Sequence, residues 1–203
     1  YISTKEKDSL KDLPLELNFN PQSHRRGLAT YFRSYLRGFM KKWTDENLKK
    51  DGTKYNLYVD GLKIYTTVNA EMQQYAEESV GEHMKNLQKE FFIQNDTLST
   101  APFRDLEEED EEAIMNRTMK RSERWRKMRL AGKSNEEIEA SIEIPTNMTI
   151  FSWEGDIDPL MKPIDSIRYY KHFLQAGMMS MNPKNGHVMA WVGGINYKNF
   201  QYD

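Results

Sequence analysis

The sequence contains no cysteine, so disulfides and thiolate zinc sites are excluded, although the absence suits cytosol and bacterial envelope alike. It has no run approaching the ~20 apolar residues that a bilayer-crossing helix needs. The opening Tyr1-Ile2-Ser3-Thr4-Lys5-Glu6 is polar, with no signal-peptide core and no initiator methionine. The chain is therefore expected to begin partway through a longer protein, with any membrane anchor outside these residues. There is little net charge, -2 in all, which removes the electrostatic case for general nucleic-acid or anionic-membrane binding. The four histidines, His24, His83, His172 and His187, lack metal-ligand spacing. No metal ligand, cofactor-binding residue or catalytic residue is expected. What is present is 203 residues with 38% hydrophobic and 12% aromatic content, enough for one ordinary domain or two small ones with a folded core.

Along the chain, residues 4–13 read as a short helix ended by Pro14, followed by irregular chain from Pro21 to Gly27. From Thr30 the aromatic and apolar residues Phe32, Tyr35, Leu36, Phe39, Met40 and Trp43 recur at helical steps, with Arg33, Arg37, Lys41 and Lys42 between them. Aromatics beside basic residues also suit a single-strand nucleic-acid platform, but at this net charge a buried stripe with a solvated back is the expected reading. After the turn pair Asp60-Gly61, residues 62–68 are β-branched and aromatic and read as a strand. Asn69 then caps a long helix. Its inward face is expected to carry Met72, Tyr75, Ala76, Val80, His83, Met84, Leu87 and Phe91, with Gln73, Glu77, Glu78, Lys85 and Lys89 outward.

A change of composition follows. Residues 105–112 hold seven acids in eight positions, and residues 117–129 hold seven Lys or Arg. Ile114, Thr118, Ser122, Trp125 and Met128 fall on one stripe, so a single helix running to Gly132 is expected, its acidic start and basic end matched to the helix dipole. Ser134-Asn135-Glu136-Glu137 is a capping box opening a shorter helix. Residues 148–153 read as a strand and Pro163-Ile164-Asp165 as a helix start. Residues 177–181 and 187–192 read as two strands joined by the turn Asn182-Pro183-Lys184-Asn185-Gly186.

Two segments resemble a known family. Gly61-Leu62-Lys63-Ile64-Tyr65-Thr66-Thr67-Val68-Asn69-Ala70-Glu71-Met72-Gln73 is similar to the opening of the transpeptidase region of class A penicillin-binding proteins, a GLxIxTT strand running into a capped helix that begins DPxxQ. Here Asn69-Ala70 stands in place of Asp-Pro, which keeps the cap and loses the preset first helical residue. Asn182 to Gly194 resembles that family's DPxTGxVxAxVGG hairpin, with Asn182 for Asp and Asn185 for Thr. Residues 2–14 resemble the stretch that closes the glycosyltransferase domain, and residues 27–36 the helix leading toward the transpeptidase. The resemblance covers residues 1–92 and 146–203. Residues 93–145 match nothing recognisable and look like an insertion.

The resemblance implies a bifunctional synthase of peptidoglycan that polymerises glycan in one domain and cross-links peptides through a β-lactam-sensitive serine in another. It implies a bacterial cell-envelope protein on the periplasmic side of the inner membrane. The catalytic parts are not in this chain. No serine has a lysine three residues on, and the glycosyltransferase signature E-D-x-x-F-x-x-H is absent. Ser180-Met181-Asn182 and Lys184-Asn185-Gly186 imitate S-x-N and K-T-G formally, but they fall in the hairpin strand and turn. The nucleophile motif is expected shortly after Asp203.

The expected fold is therefore α+β, an incomplete transpeptidase domain in four parts. Residues 1–56 form a helical linker, 57–92 a strand and long helix, 93–145 a helical insertion, and 146–203 a strand, helix and hairpin on a small sheet. The expected role is a non-catalytic linker and scaffold. Its expected partners are the remaining domains of the parent synthase, cell-wall regulators through the insertion, and a second copy through the exposed hairpin edge. The alternative is a partner-binding module centred on residues 105–143. A DNA-reading helix-turn-helix at residues 130–138 is disfavoured, because Glu136, Glu137, Glu139 and Glu143 would face phosphate.

Overall fold

The computed structural model describes residues 2–11, 27–98 and 101–201. The expected helix end at Pro14 and the loop from Pro21 lie outside them. The described residues form an α+β fold with seven helices and two small antiparallel sheets. Helix α1 is Thr4–Lys11 and buries none of its residues. Helix α2 is Thr30–Glu46 and α3 is Ala70–Asn95. Asn69 caps α3 as expected, its side chain accepting from Met72 N at 2.9 Å.

The expected strand at 62–68 does not form: those residues pair with no neighbouring strand, and Tyr65 is 89% exposed. A strand needs a neighbour for its backbone groups, and only the end of this segment reaches one. Thr67 Oγ1 donates to Val188 O at 2.7 Å and Asn69 N to Met189 O at 2.9 Å.

The expected single helix over the acidic and basic runs is two: α4 at Glu108–Arg121 and α5 at Glu123–Leu130. Ser122 turns to extended geometry at the join and its hydroxyl accepts from Trp125 N at 3.2 Å, serving as an N-cap. The break lets Trp125 turn into a core with Met119, Ile138 and Ile142. Gly132, at φ 79°, ends α5 where a side chain would strain the backbone. Helix α6, Asn135–Ile142, opens with the expected capping box, Glu137 N donating to Ser134 Oγ at 3.2 Å and Ser134 N to Glu137 Oε2 at 2.9 Å.

Strands β1 (Thr146–Asn147) and β2 (Leu160–Met161) pair antiparallel, and an Ile150–Ile157 bridge extends the ladder; the regular strand expected at 148–153 is reduced to this bridge. Helix α7 is Pro163–Lys171, with proline in its first turn. Strands β3 (Met178–Met181) and β4 (Val188–Val192) form the expected hairpin with a bulge at Ser180/Met181. Helix α3 covers this hairpin, Ala76 and Val80 packing on Ala190 and Val192.

The buried face of α3 is rotated from the expected one. Gln73 and Gln88 are 0% and 1% exposed, whereas Met72, Tyr75, His83 and Leu87 are exposed. Hydrogen-bond demand from the neighbouring backbone outweighs apolar burial at both glutamines. The α2 stripe is likewise half open: Tyr35 and Phe39 are exposed, while Tyr31 and Thr44 are buried.

Candidate functional site

The described residues around β4, α7 and the segment from Gly193 to Gln201 form a joint in which side chains complete the backbone of unpaired chain. Gln73 lies beside the edge of β4 that faces away from β3. Its Oε1 accepts from Trp191 N at 2.7 Å and its Nε2 donates to Trp191 O at 2.8 Å, so its amide replaces a missing strand at that residue. The second Nε2 hydrogen is used too, donated to Glu77 Oε1 at 2.8 Å. Gln88, four turns along α3, repeats the device. Its Oε1 accepts from Leu174 N at 2.8 Å and its Nε2 donates to His172 O at 2.9 Å, tying the end of α7 to α3.

Two tyrosines do the same for Phe151. The Tyr170 hydroxyl accepts from Phe151 N at 3.0 Å, and the Tyr169 hydroxyl donates to Phe151 O at 2.8 Å. Burial pushes the Tyr169 hydroxyl above its ordinary pKa, with Tyr170 beside it adding to the effect. Phe173 is the hub of the aromatic cluster there, with ring centroids 5.2 Å from Phe151, 5.1 Å from Tyr169 and 5.8 Å from Phe200.

Helix α2 is fastened to the same joint. Phe32 and Tyr35 flank the Trp191 indole at 5.9 and 5.2 Å. Tyr31 packs edge-on to Tyr197 at 5.0 Å and donates its hydroxyl hydrogen to Phe200 O, while Tyr197 Oη donates to Ser34 Oγ at 2.7 Å. Glu77 Oε1 accepts from Ala29 N at 2.7 Å, holding the start of α2 to α3. Gly194 sits against Tyr31 so closely that a Cβ there would lie 2.8 Å from Tyr31 Cζ.

A cleft of about 650 Å³ opens between α4, α7 and residues 198–201. Tyr170, Phe173 and Phe200 make its apolar wall, and Lys171 and Lys198 stand at its rim. Lys198 is ion-paired with Asp156. The joint offers positioning chemistry. Its hydroxyls and amides are engaged by backbone or by the Ser34 and Glu77 side chains, and among the described residues no three His, Cys, Asp or Glu gather to hold a metal ion.

Ser180 lies in β3 and Lys184 in the hairpin turn, where its backbone N–H is taken by Asn182 Oδ1 at 2.9 Å. His83 and His187 are exposed, whereas His172 Nδ1 lies 3.0 Å from Arg168 O and its ring packs on Phe92. Sequence reasoning missed Gln73, Gln88, Tyr31, Tyr169 and Tyr170. A signal for the glutamines was available: Ala76, Val80 and Met84 step by four, and continuing that ridge reaches Gln88 and, one residue off, Gln73.

Residues 98–174 match the family model of the penicillin-binding protein middle domain. The match runs through most of residues 93–145, the stretch in which the sequence resembled nothing recognisable. The motifs at 61–73 and 182–194 lie outside it. No curated protein and no solved structure matches the chain.

Proposed function

We propose, on the premise that this chain is a penicillin-binding protein segment, which the match over residues 98–174 supports, that it is the non-catalytic joint of a bifunctional peptidoglycan synthase. The segment works at the bacterial cell envelope, on the periplasmic side of the inner membrane. It holds the glycan-polymerising and peptide-cross-linking domains at a set distance and angle. The observation that carries this reading is the fastening of α2 to β4 and to the segment that follows it, through Trp191, Tyr31 and Tyr197. Gln73 then ties β4 to α3, so the helical arm, the long helix and the hairpin move as one piece.

The threonine-bearing segment and the glycine-ended hairpin, the two elements that resemble a transpeptidase, meet at Thr67–Val188 and Asn69–Met189. Their contact supports the class A reading. In the intact synthase, Trp191→Ala is expected to lower peptide cross-linking relative to glycan polymerisation, because the arm loses its main apolar seat. An unchanged ratio of the two activities in a folded variant overturns the role. The chain itself should not be labelled by a fluorescent penicillin, and covalent labelling would place a reactive serine within it.

A second reading, a partner-binding module at residues 105–143, is favoured by one observation. Helix α4 packs chiefly on α7 and α5, and its basic end stays exposed.

A further inference from the structure

Helix α4 is charge-segregated along its length, and its outward face is not neutralised by the chain it belongs to. Glu108, Glu109 and Glu112 stand at one end and Arg117, Lys120 and Arg121 at the other, all exposed. None of these six forms an ion pair among the described residues. In the acidic run only Glu111 is so engaged, with Arg168. Like charges crowded at each end repel one another; the helix dipole and salt offset part of that repulsion, and a partner of opposite sign relieves more of it.

The order of the charges specifies the partner. An anionic surface would suit the basic end and repel the acidic one, which lies within ~20 Å of it along the axis. A cationic surface has the reverse fault. A partner satisfies both ends only if it carries the same segregation in the opposite direction, as a second α4 does when laid antiparallel.

The register is self-consistent. With the twofold axis between Ile114 and Met115, Glu109 comes level with Lys120 of the second copy, Glu112 with Arg117 and Glu108 with Arg121. Ala113 and Asn116, both exposed and small, lie at the crossing, where close helix approach requires them. Each opposition occurs twice by symmetry, as an isologous interface demands.

We propose that the outer face of α4 is a docking surface for a second copy of this chain, an antiparallel α4–α4 pairing steered by charge. One helix face buries less than the roughly 1,000 Å² of a stable interface, so the pairing is transient and salt-sensitive. It differs in this from association at the β3 edge, where Met178, Met179 and Met181 are exposed and apolar burial would dominate.

The absence of native cysteine makes the test direct. Asn116→Cys in the full chain places two thiols beside the symmetry axis. Under mild oxidation a disulfide dimer should form readily at about 10 mM salt, where charges act over ~30 Å, and at least about tenfold more slowly near 1 M, where they act over ~3 Å. Two further chains carry the same cysteine, one with Glu108, Glu109 and Glu112 changed to Lys, the other with Arg117, Lys120 and Arg121 changed to Glu. Each alone should fail to form the disulfide, and an equimolar mixture should form the heterodimer. Equal trapping at both salt concentrations, no trapping of the parent at low salt, or failure of the mixture overturns the proposal. The salt series uses no charge variant, so a folding defect in either one does not shelter the idea.

Discussion

Replacing Gln73 by leucine should cost far more stability than its chemistry on a helix surface would suggest. Gln73 is 0% exposed, and its amide is the partner of both Trp191 N and Trp191 O, at 2.7 and 2.8 Å. Leucine has about the same volume and good helix propensity, so neither a cavity nor a propensity loss enters. Two backbone groups at the edge of β4 are left without partners, each costing about 1 to 3 kcal/mol if water cannot reach them. Trp191 is only half-buried, which puts each near the lower end of that range. Burying leucine in place of an amide returns about 1 kcal/mol or a little more. The net loss is then about 1 to 3 kcal/mol, or a fall in Tm of about 3 to 10 °C for a chain of this size. Urea unfolding followed by tryptophan fluorescence measures it. Hydrogen exchange should locate it, with the Trp191 amide losing protection before those of Ala190 and Val192, which face β3. A stability change within about 0.5 kcal/mol, with Trp191 still protected, would refute the idea that a side-chain amide acts as the missing strand.

Gly194→Ala should destabilise the chain by about 1 to 3 kcal/mol, because the added methyl meets the Tyr31 ring at 2.8 Å; Tyr31→Ala in the same chain should recover most of the clash cost, read as non-additivity in thermal melts. Tyr170→Phe should cost about 1 to 2 kcal/mol by leaving Phe151 N without its 3.0 Å partner, and Tyr169→Phe should cost less, since a carbonyl tolerates loss of a donor better. The Glu137 carboxyl is held below its ordinary pKa by the Lys133 side chain first and the Ser134 N–H second. With the folded value below the unfolded one, its support of α6 is present above about pH 4.5 and is lost as pH falls through the folded value. Amide protection in α6 should therefore drop on acidification below pH 4.5 and stay flat above it, and Glu137→Gln should shrink the drop to the part contributed by Glu136, which its own backbone N–H and Ser134 also hold below its ordinary pKa.

Much of the local architecture was legible because it depends on neighbours in sequence. The Asn69 cap, the Ser134–Glu137 capping box, proline opening α7 and the Asn-Gly turn of the hairpin all use groups within a few residues of one another. The break at Ser122 was less legible, since serine is tolerated within a helix as well as at its start. Only the need to turn Trp125 toward Ile138 and Ile142 selects the cap.

The face of α3 could not be read from apolar residues alone, because a buried glutamine and a solvated one have the same local sequence. Which it is depends on whether an unpaired strand edge passes beside it. Gln73 meets Trp191, a residue 118 positions away, and Gln88 meets the chain at His172 and Leu174, 84 and 86 positions away. The same holds for residues 62–68, whose β-branched side chains favour a strand while no neighbouring strand is there to pair with them. By itself the sequence determined most of the helices, the caps and the turns, which follow from contacts a few residues long. Tertiary structure alone decided which polar groups go inside, because burying an amide is favourable only where a distant backbone presents the matching donor and acceptor.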